Sequence, residues 1–153
     1  MQKITPFLWF DDCAEEAANF YTSIFPDSEI LGISRQGNGT VMTVSFRLRD
    51  QEFTALNGGP TFQFAEGISL FVNCETQAEV DELWEKLSDG GGEGQCGWLK
   101  DRYGVSWQII PTALGEALGD PDPARAQRAL NAMLQMSKID INRLNEAREG
   151  VAS

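Results

Sequence analysis

The sequence predicts an α+β fold made of two copies of a βαβββ unit followed by C-terminal helices. Three observations predict it. A short apolar segment running straight into an amphipathic helix occurs twice, about 64 residues apart. Each of those helices is followed by strand-like pieces divided by turn residues, and residues 112–153 carry helical patterning only.

Taken in order, Ile4 to Phe10 is apolar and ends at Asp11 and Asp12, as suits a buried strand entering a helix cap. Asp12 as N-cap with Glu15 three residues on reads as a capping box. Ala17, Ala18, Tyr21, Ile24 and Phe25 then form one apolar face until Pro26 stops the helix. Strands are expected over Glu29–Arg35, Val41–Arg49 and Glu52–Asn57, separated by Gln36-Gly37-Asn38-Gly39 and by Asp50-Gln51. In the middle strand Met42, Val44, Phe46 and Leu48 alternate with Thr43, Ser45 and Arg47, which gives one apolar face and one polar face.

The second copy begins with Ile68–Cys74, a capping box at Thr76 and Glu79, and a stripe of Val80, Leu83, Trp84 and Leu87. Ile4, Phe7, Asp12 and Glu15 match Ile68, Phe71, Thr76 and Glu79 at a shift of 64, whereas Ala17, Phe20, Tyr21 and Ile24 match Val80, Leu83, Trp84 and Leu87 at 63. Gly90–Gly94 reads as a loop, followed by a weak strand near Glu93–Cys96 and firmer ones over Trp98–Asp101 and Val105–Ile110. Beyond Thr112, Asp122-Pro123 starts a helix with a stripe of Ala126, Leu130, Met133 and Leu134, and Asp140 starts another with Ile139 and Leu144 placed as a hydrophobic staple. The stripe needs a partner, either the sheet or a second subunit.

A length of 153 residues suits a single domain, 1–153, with module one over 1–60, module two over 66–111 and a helical extension over 112–153. No window approaches a membrane span, and the N-terminus lacks the basic and apolar regions of a signal peptide, so a cytoplasmic protein without a membrane partner is expected. The net charge of −11 disfavours nucleic acid and otherwise serves solubility. Cys13, Cys74 and Cys96 lack the number and spacing of a disulfide framework or a structural zinc site.

The segments ITPFLWFDDCAEEAANFY, TALNGGPTFQF, ISLFVNCETQAEVDELW, QCGWLKDRYGVSWQIIP and ALNAMLQMSKIDINRLNEA cover nearly the whole chain. With the duplicated layout they resemble the PhnB-like branch of the vicinal-oxygen-chelate superfamily, which includes glyoxalase I, bleomycin-resistance proteins and extradiol dioxygenases. The resemblance implies an open barrel of the glyoxalase/bleomycin-resistance type and a homodimer. It also brings a label, 3-demethylubiquinone-9 3-methyltransferase. Against that label, the one glycine-rich run, Asp89 to Gly94, follows a helix rather than a strand and has no GK[ST] ending.

Metal-dependent relatives hold an ion through His and Glu on the first and fourth strands of both modules. This chain has no histidine, and Asn57 and Gln108 stand near where carboxylates are expected. Amides are poor first ligands for a divalent cation, so no cofactor is expected, with a nonstandard divalent site on Glu52, Glu75, Cys74 or Cys96 as the alternative. The candidate pocket is Gln108 and Ser106 on one strand face, Trp98 as an apolar wall, Asn57, and Lys100 and Arg47 as anchors for an anion. Against these stand plainer roles: core tryptophans at Trp98 and Trp107, surface ion pairs at Lys100 and Arg47, and an inert buried thiol rather than a nucleophile at Cys96. The functional expectation is a small-molecule-binding protein, set against an enzyme with a nonstandard metal site, a methyltransferase, or an interaction module using the tail helices.

Overall fold

The computed structural model describes residues 2–150, and the chain divides into two compact units between Phe64 and Ala65. The first holds β1 (Phe7–Phe10), α1 (Ala14–Ile24), β2 (Ser28–Arg35), β3 (Val41–Leu48) and β4 (Gln51–Asn57). The strand order is β1-β4-β3-β2, with β1 parallel to β4 and the remaining pairs antiparallel. This is the expected βαβββ unit. The predicted face of α1 is buried, with Ala17, Ala18 and Tyr21 at 0% exposure, and it packs on the apolar side of β3. The Tyr21 ring lies 6.0 Å from Phe46, which in turn stacks on Phe53 at 5.2 Å. Burying each such side chain contributes roughly 1.5–3 kcal/mol.

Two details of this unit differ from expectation. Ile4 is 86% exposed and β1 starts only at Phe7, so the buried strand is shorter than the apolar run. The predicted Asp12/Glu15 capping box does not form. Cys13 occupies the N-cap without a side-chain bond, and the Ala14 N–H donates instead to Asn57 Oδ1 at 2.8 Å. The joint between β1 and α1 is Asp11–Cys13, one residue longer than the Glu75–Thr76 joint of the second copy, which places Asp12 a residue too early. That extra residue is the change in shift from 64 to 63.

The second unit repeats the plan with β5 (Leu70–Cys74), α2 (Gln77–Ser88), β6 (Gly92–Glu93), β7 (Trp98–Lys100) and β8 (Ser106–Pro111), in the order β5-β8-β7-β6. Strand β5 is parallel to β8 and the other pairs are antiparallel. The strand expected near Glu93–Cys96 is the two-residue β6, and Ile68 lies outside β5 at 74% exposure. Here the capping box forms, with Thr76 accepting from the Glu79 N–H at 3.1 Å while Glu79 accepts from the Glu75 N–H at 2.9 Å. All four stripe residues of α2 are buried.

Three helices complete this unit: α3 (Thr112–Leu118), α4 (Pro123–Met133) and α5 (Ile141–Arg148). Asp122 and Asp140 cap α4 and α5 as their positions require. The face of α4 is turned slightly from the predicted stripe: Ala126, Leu130 and Met133 are half-buried, but Ala129 is the buried residue and Leu134 is 51% exposed. The tail's partner is its own unit, since Ile139 and Leu144 join Ile110, Leu114 and Met136 in one buried cluster.

Candidate functional site

Register sorts the second unit's sheet into two faces. Leu99, Trp107, Ile109 and Val72 are buried on the side of α2, whereas Phe71, Gln108 and Trp98 are cross-strand partners in one row on the other side. Beside that row Lys100 is the partner of Ser106. The predicted alternation therefore holds: Ser106 and Gln108 share a face, and Trp107 and Ile109 take the opposite one. The two tryptophans separate. Trp107 is core at 2% exposure, its Nε1–H donating to Asp101 Oδ2 at 2.9 Å, while Trp98 is half-buried on the open face.

Gln108 is oriented by its amide, which donates from Nε2 to Ser69 Oγ at 2.9 Å. A hollow of about 410 Å³ lies alongside, lined by Trp98, Lys100, Ser106, Glu66 and the β6 backbone. Lys100 is ion-paired with Glu66, whose carboxyl is held below the usual carboxylate range by hydrogen bonding to that ammonium. Trp98 is placed by the tail. The Cys96 N–H donates to Met136 O and the Gly97 N–H to Ser137 O, both at 2.8 Å, which pins the turn leading into β7. Gly97 has φ +85°, and a Cβ there would lie 2.6 Å from Ile110 Cδ1, so only glycine fits beneath the docked tail.

Two predicted site residues, Asn57 and Arg47, belong to the first unit. Asn57 follows Phe53 and Ala55 on the helix-facing side of β4. Its amide is committed at both ends, Oδ1 to the Ala14 N–H and Nδ2 to Val41 O at 3.2 Å, so it serves as a cap of α1. Arg47 lies on the polar face of β3 as expected, but Asp27 at 3.1 Å and Glu29 at 3.5 Å match its charge twice over. Hydrogen bonding to Asp27 is the leading reason its pKa is raised. That setting suits a structural ion pair better than an anion anchor.

The residue corresponding to Gln108 is Thr54, because Phe7 pairs with Thr54 as Phe71 pairs with Gln108. Phe7 and Phe71, matched by the 64-residue shift, are 58% and 56% exposed. Ser69, Glu66 and Thr54 were not among the candidate site residues. The shift that paired Phe7 with Phe71 would have found Thr54 once strand pairing was known.

The donor set does not fit the ion of metal-dependent relatives. On the faces turned from the helices the first and fourth strands present Phe7, Trp9, Glu52, Thr54 and Leu56 in one unit and Phe71, Asn73 and Gln108 in the other, with Ile110 covered by the tail and Glu52 the one carboxylate of the set. Among the described residues no group of three or more His, Cys, Asp or Glu side chains could hold a metal ion. Cys74 is fully buried under α2, and Cys96 sits half-buried in the turn before β7. The Cys13 thiol is pushed up by burial and then by Asp12 and Glu16, which leaves it a weak nucleophile at neutral pH.

The family model described as 3-demethylubiquinone-9 3-methyltransferase matches residues 2–110 and stops short of α3. The PhnB protein of Bacillus cereus is 42% identical, covering 72% of this chain and 100% of its own, with a TM-score of 0.68. Two more distant structures share the fold. A Pseudomonas aeruginosa protein is 20% identical over 72% of this chain and 98% of its own, with a TM-score of 0.60. The fosfomycin resistance protein FosX of Listeria monocytogenes, solved with Mn(II) and sulfate, is 17% identical over 70% and 90%, with a TM-score of 0.52. Among curated proteins there is no match. Two βαβββ units, the match over residues 2–110 and the 42% identity to a PhnB protein together place the chain in the 3-demethylubiquinone-9 3-methyltransferase family, the PhnB-like branch of the vicinal-oxygen-chelate superfamily.

Proposed function

We propose that this chain binds a planar, largely apolar small molecule on the open face of β5–β8, without a divalent metal. The observation that carries the reading is the cross-strand row Phe71, Gln108, Trp98: two partly exposed aromatic side chains flank one amide already oriented by Ser69. Aromatic walls with few, fixed polar groups are the usual make-up of a small-molecule site. Phe71 and Trp98 supply stacking area, Gln108 and Ser106 the polar contacts. The donor set argues for metal independence, since phenylalanine, threonine and glutamine stand where imidazole and carboxylate would be needed.

The family's description names a methyltransferase, and the cofactor-binding elements of that chemistry do not fit here. Both strand-to-helix joints, Asp11–Cys13 and Glu75–Thr76, lack glycine, and both sheets are mixed rather than parallel. The same reading takes the chain to be a homodimer in a reducing cytoplasm. Its support is exposed apolar surface at Ile4, Phe7, Phe62, Ile68 and Phe71 and three free thiols. No helix among the described residues is long and apolar enough to cross a membrane.

Titration with 2-naphthamide, followed by calorimetry, tests the reading. One molecule per chain is expected, with Trp98→Ala weakening binding about tenfold through lost stacking and burial. Binding indifferent to Trp98→Ala and Phe71→Ala would overturn the assignment of the face. A stoichiometric, tightly held ion after equilibrium dialysis against Mn(II) would overturn metal independence.

A further inference from the structure

Lys100 stands one row from Gln108 and Trp98 on the open face, and the residue it meets in the structure is a carboxylate of its own chain. Glu66 lies in the turn spanning Ala65–Ile68, closed by an Ile68 N–H to Ala65 O bond of 3.3 Å, and its side chain is 76% exposed. It belongs to neither a strand nor a helix. Such exposed pairs contribute little to stability. Space around Lys100 is provided from the other side: its cross-strand partner on β6 is Gly92, where an added Cβ would meet nothing within 4 Å. The other carboxylate at the hollow, Glu93, is engaged elsewhere, accepting from Trp84 Nε1–H at 2.7 Å. The hollow thus carries one ammonium beside an aromatic wall, and the anion against it is an exposed side chain on a turn outside the sheet.

We infer that the ligand class is an aromatic carboxylate or similar monoanion, and that Glu66 occupies the anion position as an intramolecular stand-in that the ligand displaces. The inference rests on the small-molecule reading above and sharpens it. Binding exchanges one exposed carboxylate for another at Lys100 while the ring system gains Trp98 and Phe71. Glu66 therefore acts as a competitor tethered at high effective concentration, and removing it raises the affinity for anions alone.

Paired probes, 2-naphthoate and its neutral isostere 2-naphthamide, titrated into the full chain separate the two ideas. Glu66→Gln is expected to tighten 2-naphthoate about threefold and Lys100→Gln to weaken it about tenfold, with 2-naphthamide changed less than about twofold in both. Lys100→Arg should retain the preference for the anion, and raising salt should erode it. If Glu66→Gln and Lys100→Gln leave the ratio of the two affinities unchanged while Trp98→Ala weakens both probes, the anion inference fails and the binding face survives. If Trp98→Ala affects neither probe, the binding face fails and the anion inference with it.

Discussion

Replacing Asn57 by alanine tests whether that side chain is a helix cap or a pocket residue. Its Oδ1 satisfies the Ala14 N–H at 2.8 Å, which no other side chain caps, and its Nδ2 satisfies Val41 O at 3.2 Å. Loss of the cap is worth about 1 kcal/mol, and the bond to Val41 about 1 kcal/mol more. The expected cost is about 2 kcal/mol, a fall in melting temperature of about 4–8 °C for a chain of this size. Asn57→Asp keeps an acceptor at the helix N-terminus but loses the donor, so it should recover about half. Thermal and urea unfolding measure the loss, and 2-naphthamide titration of the same variants supplies the control. The reasoning is refuted if Asn57→Ala melts like the parent while its affinity collapses, for then the amide would be serving a ligand and not α1.

Asp101, 2% exposed, accepts from the Tyr103 and Val105 N–H groups and from Trp107 Nε1, so Asp101→Ala strands three donors. It should cost about 3 kcal/mol or more in urea unfolding, against about 1 kcal/mol for Trp107→Phe read as the lost hydrogen bond. Gly97→Ala forces a Cβ against Ile110 at a left-handed φ and should cost about 1–3 kcal/mol while also weakening 2-naphthamide, because the turn that sets Trp98 must move. Arg125 and Arg148, bonded to Asp120 Oδ2 at 2.9 and 2.8 Å, hold its carboxyl well below the usual carboxylate range. Because folding depresses that value, the contribution is complete above about pH 4, where the unfolded carboxyl is already ionised, and is lost as pH falls below it. Urea midpoints measured against pH should therefore lose part of their acid dependence in Asp120→Asn.

Periodicity carried most of the architecture because it reports directly on which side of an element is dry. The apolar faces of α1 and α2 and the alternation in β3 and β8 are buried as read. Local chemistry was equally legible where its partners lie within a few residues, as at Thr76 with Glu79 and at Asp140. It failed where the partner comes from afar. Asp12 looked like a cap, but the cap came from Asn57, on the far side of β2 and β3 in sequence. The α4 stripe was only partly legible for a related reason: Met133 packs on the core cluster but Ala129 is the fully buried residue and Leu134 is exposed, because the face that is buried depends on where α5 and α3 lie and not on α4 alone.

The pocket residues divide along the same line. Gln108, Ser106, Trp98 and Lys100 sit on one face of consecutive antiparallel strands, so alternation within a short stretch was enough to group them. Arg47 follows from the alternation of β3 alone, whereas Asn57 stands beside Gln108 only as a last-strand amide, and it takes the pairing of β1 with β4, a parallel contact between residues 47 apart, to show that Thr54 and not Asn57 answers to Gln108. Sequence determined the duplicated unit, the buried faces and the absence of histidine, because composition and period are properties of the chain itself. Tertiary structure decided what each polar side chain is occupied with: Asn57 with a helix end, Arg47 with two carboxylates, Lys100 with a carboxylate on a turn. A hydrogen bond or ion pair belongs to two residues, and only the fold says which two meet.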